Sequence, residues 1–118
     1  METQEAIMGF SQSEKIKSAI IWTSQALELT AALNGPEKEG ATRMMKMKID
    51  HIIQEIRLAK NIAGNPYWDD IEKDMENAVV MINSGVAADS VSHLTQALSK
   101  VTSIGQRSMA FLKEKGLI

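Results

Sequence analysis

The stretch Met44–Gly64, "MMKMKIDHIIQEIRLAKNIAG", decides the fold because its apolar residues repeat with the period of an α-helix. One line of these residues steps by four, three, four, three and four positions, and it comprises Met45, Ile49, Ile52, Ile56, Ala59 and Ala63. Such spacing holds one face of a helix for about five turns. The sequence therefore predicts a long amphipathic helix that begins between Pro36 and Thr42 and ends at Gly64.

Upstream of this helix, the sequence predicts a first helix that opens at Ser11. Ser11 and Glu14 have the Ser-x-x-Glu spacing of a capping box, in which the hydroxyl accepts a bond from a backbone amide. An inner stripe follows at helical spacing, with Trp22 and Leu29 widening it: Ile16, Ala19, Ile20, Thr23, Ala26, Leu27 and Leu33. The turn "NGP" at 34–36 ends this helix, because glycine suits a left-handed residue and proline suits the next helix start.

Downstream, "GNPYWDD" at 64–70 raises the question of whether its carboxylates form a reactive site. Asn65 is a favoured N-cap residue and Pro66 a favoured first helical residue. Carboxylates in a first turn stabilise the positive end of the helix dipole, so the helix-start interpretation is preferred to a carboxylate site. The third helix has an inner stripe of Trp68, Ile71, Met75, Ala78, Val79 and Ile82, and it ends at Gly85.

The fourth helix is predicted from Asp89 or Ser90 towards Lys115. Its apolar seam consists of Val91, Leu94, Leu98, Val101, Gly105, Ser108 and Leu112. Gly105 costs about 1 kcal/mol relative to alanine inside a helix. Its position on the seam indicates either a close helix crossing or a kink.

Four amphipathic helices joined by three short turns predict an all-α fold, an antiparallel up-down-up-down four-helix bundle. A chain of 118 residues is the size of one domain. Residues 1–10 are expected to form a flexible or docking N-terminal segment, and residues 11–118 the bundle.

Composition excludes several classes of function. A net charge of −2 argues against nucleic-acid binding, which needs a dominant basic surface. The absence of cysteine removes disulfides and thiolate chemistry and fits a reducing compartment. No secretory signal opens the sequence, and no apolar run approaches the ~20 residues that cross a bilayer. We therefore expect a soluble cytoplasmic protein without membrane contacts.

Catalytic and metal-binding motifs are missing from the sequence. Neither His51 nor His93 has a glutamate three residues before it, as a di-metal bundle would require. No nucleophile elbow, phosphate-binding loop or dinucleotide-binding motif occurs. We therefore expect no catalytic residues, cofactor or metal, and a small carboxylate-dependent enzyme is the least favoured alternative. That alternative would need a cleft joining His51 to Asp69, Asp70 or Asp74.

Charge is divided between the second and third helices. Residues 41–63 carry five basic and two acidic residues, whereas residues 66–85 carry five acidic residues and one lysine. Antiparallel neighbours would place these opposite charges side by side. We expect ion pairs inside the bundle, and a nucleic-acid stripe is the weaker interpretation because it lacks aromatic residues for stacking.

A second apolar line on the second helix is the most informative anomaly. It lies roughly 100–160° from the inner line by the helical step per residue, and it comprises Met44, Met47, His51, Leu58 and Ile62. Burial within the bundle would explain it. The alternative is an intermolecular surface, where flexible methionines adapt to a partner and basic residues form a polar rim.

The order of helices resembles that of flagellin-export chaperones, small bundles that cover aggregation-prone ends of secreted subunits. The comparable pieces are "SEKIKSAIIWTSQAL" at 13–27 and "KIDHIIQEIRLA" at 48–59. The sequence departs from that family, because the core tyrosines expected in the first and third helices are missing: Trp22 stands in the first helix, and Tyr67 lies at a turn. The resemblance implies a groove for a partner helix.

The sequence thus predicts a non-enzymatic helical protein–protein interaction module that self-associates through its second helix. A secretion-type chaperone or regulatory adaptor that binds an amphipathic helix is the alternative. The expected partner is a protein or a second copy of the chain, bound through Met44, Met47, His51, Leu58 and Ile62.

Overall fold

The computed structural model describes residues 1–118 as four α-helices and one short 3₁₀ turn. The helices are α1 (Thr3–Ala31), α2 (Gly35–Ala63), α3 (Tyr67–Asn83) and α4 (Ser90–Glu114), and the 3₁₀ turn spans Ala87–Asp89. Each helix packs against its two neighbours, α1 on α2 and α4, and α3 on α2 and α4, whereas the backbones of diagonal pairs stay apart. The antiparallel four-helix bundle is confirmed.

The turns form where glycine, proline and asparagine predicted them. Gly35 and Gly64 adopt φ angles of +58° and +53°, a left-handed conformation that other residues rarely take. Asn65 accepts a hydrogen bond through Oδ1 from the Tyr67 backbone amide at 2.8 Å. The helix begins one residue later than predicted, because Pro66 and not Asn65 occupies the N-cap position. These turns are too short for any arrangement other than antiparallel neighbours.

The inner stripes meet in a single core. Ile49, Ile52 and Ile56 of α2 are fully buried, and Trp68, Ile71 and Met75 of α3 have no exposed surface. Each such side chain contributes about 1.5–3 kcal/mol through burial. The central line of α2 and the stripe headed by Trp68 were therefore predicted correctly.

The predicted start of α1 was wrong. The helix begins at Thr3 rather than Ser11, so residues 3–10 belong to α1. Ala6 and Gly9 are buried, and Gly9 lies against Ser108 of α4. Tertiary contacts extend the helix through Ser11, which is an exposed residue inside α1 and not its cap.

Gly105 marks a close crossing of α1 and α4, which resolves the alternative left open by the sequence. A Cβ atom added at Gly105 would lie 2.8 Å from Oγ of Ser13, and one added at Gly9 would lie 2.8 Å from Oγ of Ser108. At two neighbouring points, a glycine of one helix therefore faces a serine of the other: Gly105 faces Ser13, and Gly9 faces Ser108. This crossing fixes the orientation of α1, which carries part of the surface described below.

Candidate functional site

Exposed large apolar side chains are more numerous on the first two helices than on the other two. Among large hydrophobic residues with substantial exposure, five lie on α1 and three on α2, whereas α3 and α4 carry one each. We call the outward surface across the first two helices the α1–α2 face, and its central residues are Trp22, Leu29, Met44, Met47, His51 and Leu58. A contiguous apolar surface on a folded domain often marks an interaction site.

The predicted second apolar line of α2 lies mainly on this face. Met44 and Met47 are 65% and 68% exposed, and Leu58 is 47% exposed. His51 is also exposed, whereas Ile62 is half-buried near the end of α2. Burial within the bundle therefore does not explain the line, apart from Ile62. The role of these residues in binding stays a prediction.

Trp22 and Leu29 were assigned to the wrong side of α1. They were expected to widen the inner stripe, but they are 51% and 73% exposed. The helical step of 100° places them about 100° or more from the buried residues Ile16 and Ile20. Their separation of seven residues, which returns a helix to nearly the same direction, was the signal that could have placed them together on an outer line.

Three of the predicted residues converge on one hollow. Met44, Met47 and His51 line an open hollow of about 330 Å³ together with Trp22, Met45 and Lys48. Leu58 lies two helical turns beyond His51 on the same line and outside the hollow. The hollow therefore joins the predicted residues of α2 to an indole from α1.

A groove between α1 and α2 continues from this hollow. It has a volume of about 350 Å³ and is lined by Lys15, Ile16, Ser18, Ala19, Trp22, Lys48, His51, Ile52 and Glu55. The small side chains of Ser18 and Ala19 leave space in the groove floor, and Trp22 stands at one end. A protruding indole beside an open groove is a shape that can fit against a complementary surface.

Charged side chains border the groove at two places. Lys15 Nζ lies 2.9 Å from Glu55 Oε2, and Gln12 Nε2 donates a hydrogen bond to the same oxygen at 3.3 Å. The hydrogen bonds from Lys15 and Gln12 lower the pKa of Glu55. At the other place, Lys48 Nζ lies 5.6 Å from the centre of the Trp22 ring, within cation–π distance. These pairs form a polar border around apolar surface.

The opposite side of α2 uses its charges within the bundle, as the charge division predicted. Arg57 Nε lies 2.7 Å from Glu72 Oε2, and Lys60 Nζ lies 2.7 Å from Glu72 Oε1 and 2.8 Å from Asp69 Oδ1. The hydrogen bonds that Lys60 and Arg57 donate to Glu72 lower the pKa of Glu72, and those that Lys60 donates to Asp69 and Glu72 raise the pKa of Lys60. Asp74 similarly pairs with Lys100 of α4 at 2.7 Å.

The enzyme alternative required a cleft that joins His51 to a carboxylate of α3, and two of these carboxylates are paired elsewhere. Asp69 and Asp74 pair with Lys60 and Lys100, whereas His51 lies 3.9 Å from Glu55 on the other side of α2. No group of three or more His, Asp or Glu side chains is arranged to hold a metal ion. No helix has the combination of length and apolar character that crossing a bilayer requires.

No protein family matches the chain, and neither does any curated protein or solved structure.

Proposed function

We propose that this chain is a helical protein–protein interaction module without catalytic activity and that it self-associates through the α1–α2 face. The observation that carries the proposal is the uneven distribution of exposed apolar side chains, which are concentrated on α1 and α2. Isolated exposed hydrophobic residues are ordinary, but exposed apolar side chains that share one hollow, as Trp22, Met44 and Met47 do, favour association.

The composition of the face supports a partner protein. Methionine side chains at 44 and 47 can adapt to a neighbouring surface, and Trp22 offers a large aromatic anchor. Lys15, Lys48 and Glu55 provide a polar border of the kind that surrounds the apolar centre of protein interfaces. If two copies of the chain pair through this face, each copy covers the apolar surface of the other.

Sedimentation equilibrium with matched variants tests the proposal. We expect the wild-type chain to sediment above its monomer mass of 13.0 kDa and Leu58→Glu to sediment at that mass. Leu58→Glu would place a carboxylate in the apolar contact. Val80→Glu is the control, because Val80 is similarly exposed, at 54%, but lies on α3.

The outcomes separate self-association from unfolding and from binding to a different protein. Circular dichroism should show equal helix content for the two glutamate variants, so that a change in mass is not caused by unfolding. A wild-type chain that remains monomeric at millimolar concentration would overturn self-association. The face would then be assigned to an amphipathic helix of another protein, the adaptor function that the sequence offered as its alternative.

A further inference from the structure

Two methionines and a histidine of α2 line the same hollow as Trp22 of α1. Met44, Met47 and His51 follow one another at spacings of three and four residues, and all three border the hollow beside the indole. We propose that this hollow binds a soft monovalent cation, Cu⁺ or Ag⁺, through the two thioethers and the imidazole. The proposed site lies within one chain, so it does not depend on self-association.

The helical spacing lets the three side chains reach one ion. Residues three and four apart are neighbours on a helix, with about 5–6 Å between their Cβ atoms. Met44 and Met47 are 65% and 68% exposed, so their flexible side chains have room to turn into the hollow. Side chains on a helix lean towards its N-terminus, which inclines His51 towards Met47. The ion would therefore lie near Met47, within reach of a ligand from the turn on each side.

The chemistry of these ligands selects the ion. Thioether sulfur is a soft, uncharged ligand that favours Cu⁺, and imidazole also suits copper. Ag⁺ has the same charge and a similar softness. Zn²⁺ is usually bound by thiolates, imidazoles and carboxylates, but this hollow offers one imidazole, no thiol and no carboxylate. A cation of low charge is expected here, because uncharged sulfur atoms neutralise none of the charge of the ion.

Trp22 supplies a further contact for a cation. Lys48 Nζ lies 5.6 Å from the centre of the indole, so the face of this ring already accepts a positive charge. The ammonium of Lys48 ends a flexible four-carbon stem and can move into water. An ion held by the methionines would take its place over the ring. Lys48 and the ion would therefore compete for the same aromatic face.

Glu55 can orient His51 from outside the hollow. Glu55 Oε2 pairs with Lys15, whereas Glu55 Oε1 lies 3.9 Å from Nε2 of His51. A small rotation of the imidazole would let Nε2 donate a hydrogen bond to this oxygen, which leaves Nδ1 to coordinate the ion. Carboxylates commonly hold metal-binding histidines in this way.

Isothermal titration calorimetry with silver nitrate in a chloride-free buffer tests the site, because Ag⁺ resembles Cu⁺ but does not oxidise in air. We expect one Ag⁺ to bind per chain. Met44→Leu/Met47→Leu should weaken this binding roughly 10- to 100-fold, because leucine keeps the size and apolar character of methionine without its sulfur. His51→Gln should also weaken it. The control is Met8→Leu/Met109→Leu, which removes two methionines that are 37% and 36% exposed and lie outside the hollow.

Three results would overturn the proposal. The first is no heat of binding at millimolar Ag⁺. The second is an equal loss of affinity in the two double-leucine variants, which would mean that Ag⁺ binds any exposed methionine. The third is binding of Zn²⁺ as tight as that of Ag⁺, which would show that the thioethers do not select the ion.

Sedimentation separates this proposal from self-association. Leucine leaves the apolar surface of the α1–α2 face intact, so Met44→Leu/Met47→Leu should keep the sedimentation mass of the wild-type chain. A monomeric wild-type chain that binds Ag⁺ would refute self-association and support the metal site. A wild-type dimer that binds no Ag⁺ would refute the metal site alone.

Two further variants test the role of the indole. We expect Lys48→Gln to tighten Ag⁺ binding about 3-fold, because the ammonium no longer competes for Trp22. Lys46→Gln removes the same charge from α2 outside the hollow and is the control. Trp22→Leu should weaken binding and abolish the fluorescence change that Ag⁺ causes, since the other tryptophan, Trp68, is fully buried. Unchanged affinity in Trp22→Leu would contradict the contact between the ion and the indole.

Discussion

At the scale of single residues, Gly105 sets the distance between α1 and α4. Its missing side chain leaves room for Ser13, whose hydroxyl donates to the Phe10 carbonyl at 2.9 Å. Ser13 is only 2% exposed, so it has little freedom to move aside. We expect Gly105→Ala to lower the free energy of unfolding by about 1 kcal/mol, because overpacking outweighs the better helix propensity of alanine. Urea unfolding measures this change.

Two further variants identify the cause of that loss. Gly40→Ala is the control, because Gly40 lies inside α2 with nothing within 4 Å of an added Cβ, and it should stabilise the chain by about 0.5–1 kcal/mol. Removing the opposing hydroxyl in Ser13→Ala/Gly105→Ala should recover stability relative to the single glycine variant. If Gly105→Ala stabilised the chain as Gly40→Ala does, the crossing would be looser than the distances indicate.

At the scale of the helices, the seams between neighbours are of different kinds. Ionic groups join α1 to α2, α2 to α3 and α3 to α4 through Glu55, Glu72 and Asp74. Only the α1–α4 seam is built from glycine and serine. Because each seam differs from the others, a helix placed beside the wrong neighbour would lose its charge partners or its close contact.

Glu72 makes the α2–α3 seam sensitive to acid. Its folded pKa is below the ordinary value of 4.5, so the unfolded state binds its proton first as the pH falls. The stabilisation is complete above about pH 4.5 and is lost as the pH falls through the folded pKa. We expect Glu72→Gln to cost about 1 kcal/mol at pH 7, a modest value because Arg57 is well exposed to water.

The pH dependence of that difference is the measurement. Urea unfolding of wild type and Glu72→Gln should show a gap at pH 7 that closes below the folded pKa, where wild-type Glu72 is also uncharged. A gap that stays constant from pH 7 to pH 3 would mean that shape, not charge, accounts for the loss.

Local signals predicted most of the helix boundaries, and they failed where distant contacts decide. Gly64 acts through its own backbone conformation, and Asn65 acts through a side-chain hydrogen bond to an amide two residues away. Both effects could therefore be predicted from a few residues. Ser11 and Glu14 match a capping pattern, but α1 does not begin at Ser11. The helix starts earlier because Ala6 and Gly9 are buried against distant parts of the chain. The exposure of Trp22 was missed, although its seven-residue separation from Leu29 was a local signal for an outer line. The predicted line on α2 was found because it differed in direction from an unusually regular inner line.

Hydrogen exchange checks the early start of α1. The amides of Gly9 and Phe10 lie inside the helix and should exchange much more slowly than in an unfolded chain. The amides of Thr3 and Gln4 lie in the first turn, where helix donors have no partner within the helix, and serve as the fast-exchanging control. Equal, rapid exchange at all four positions would support the flexible segment that the sequence suggested.

At the scale of the whole molecule, the bundle has two unlike sides. Helices α3 and α4 carry one exposed large apolar residue each, whereas the α1–α2 face combines an indole, two methionines and two leucines with a charged border. Both α1 and α2 have 29 residues, compared with 17 and 25 for α3 and α4. The two longest helices thus carry eight of the exposed large apolar side chains, which is the arrangement that association would stabilise.

Association through that face links stability to concentration. A dimer that forms only between folded chains draws the folding equilibrium towards the native state, so its Tm should rise by roughly 3 °C for each tenfold increase in protein concentration. Scanning calorimetry over a hundredfold range measures this slope. Leu58→Glu should remove it, and Val80→Glu should preserve it, because only the first substitution lies on the α1–α2 face. A wild-type Tm that does not change over this range would show that self-association does not stabilise the folded chain. That result would leave open the binding of a different protein to the α1–α2 face.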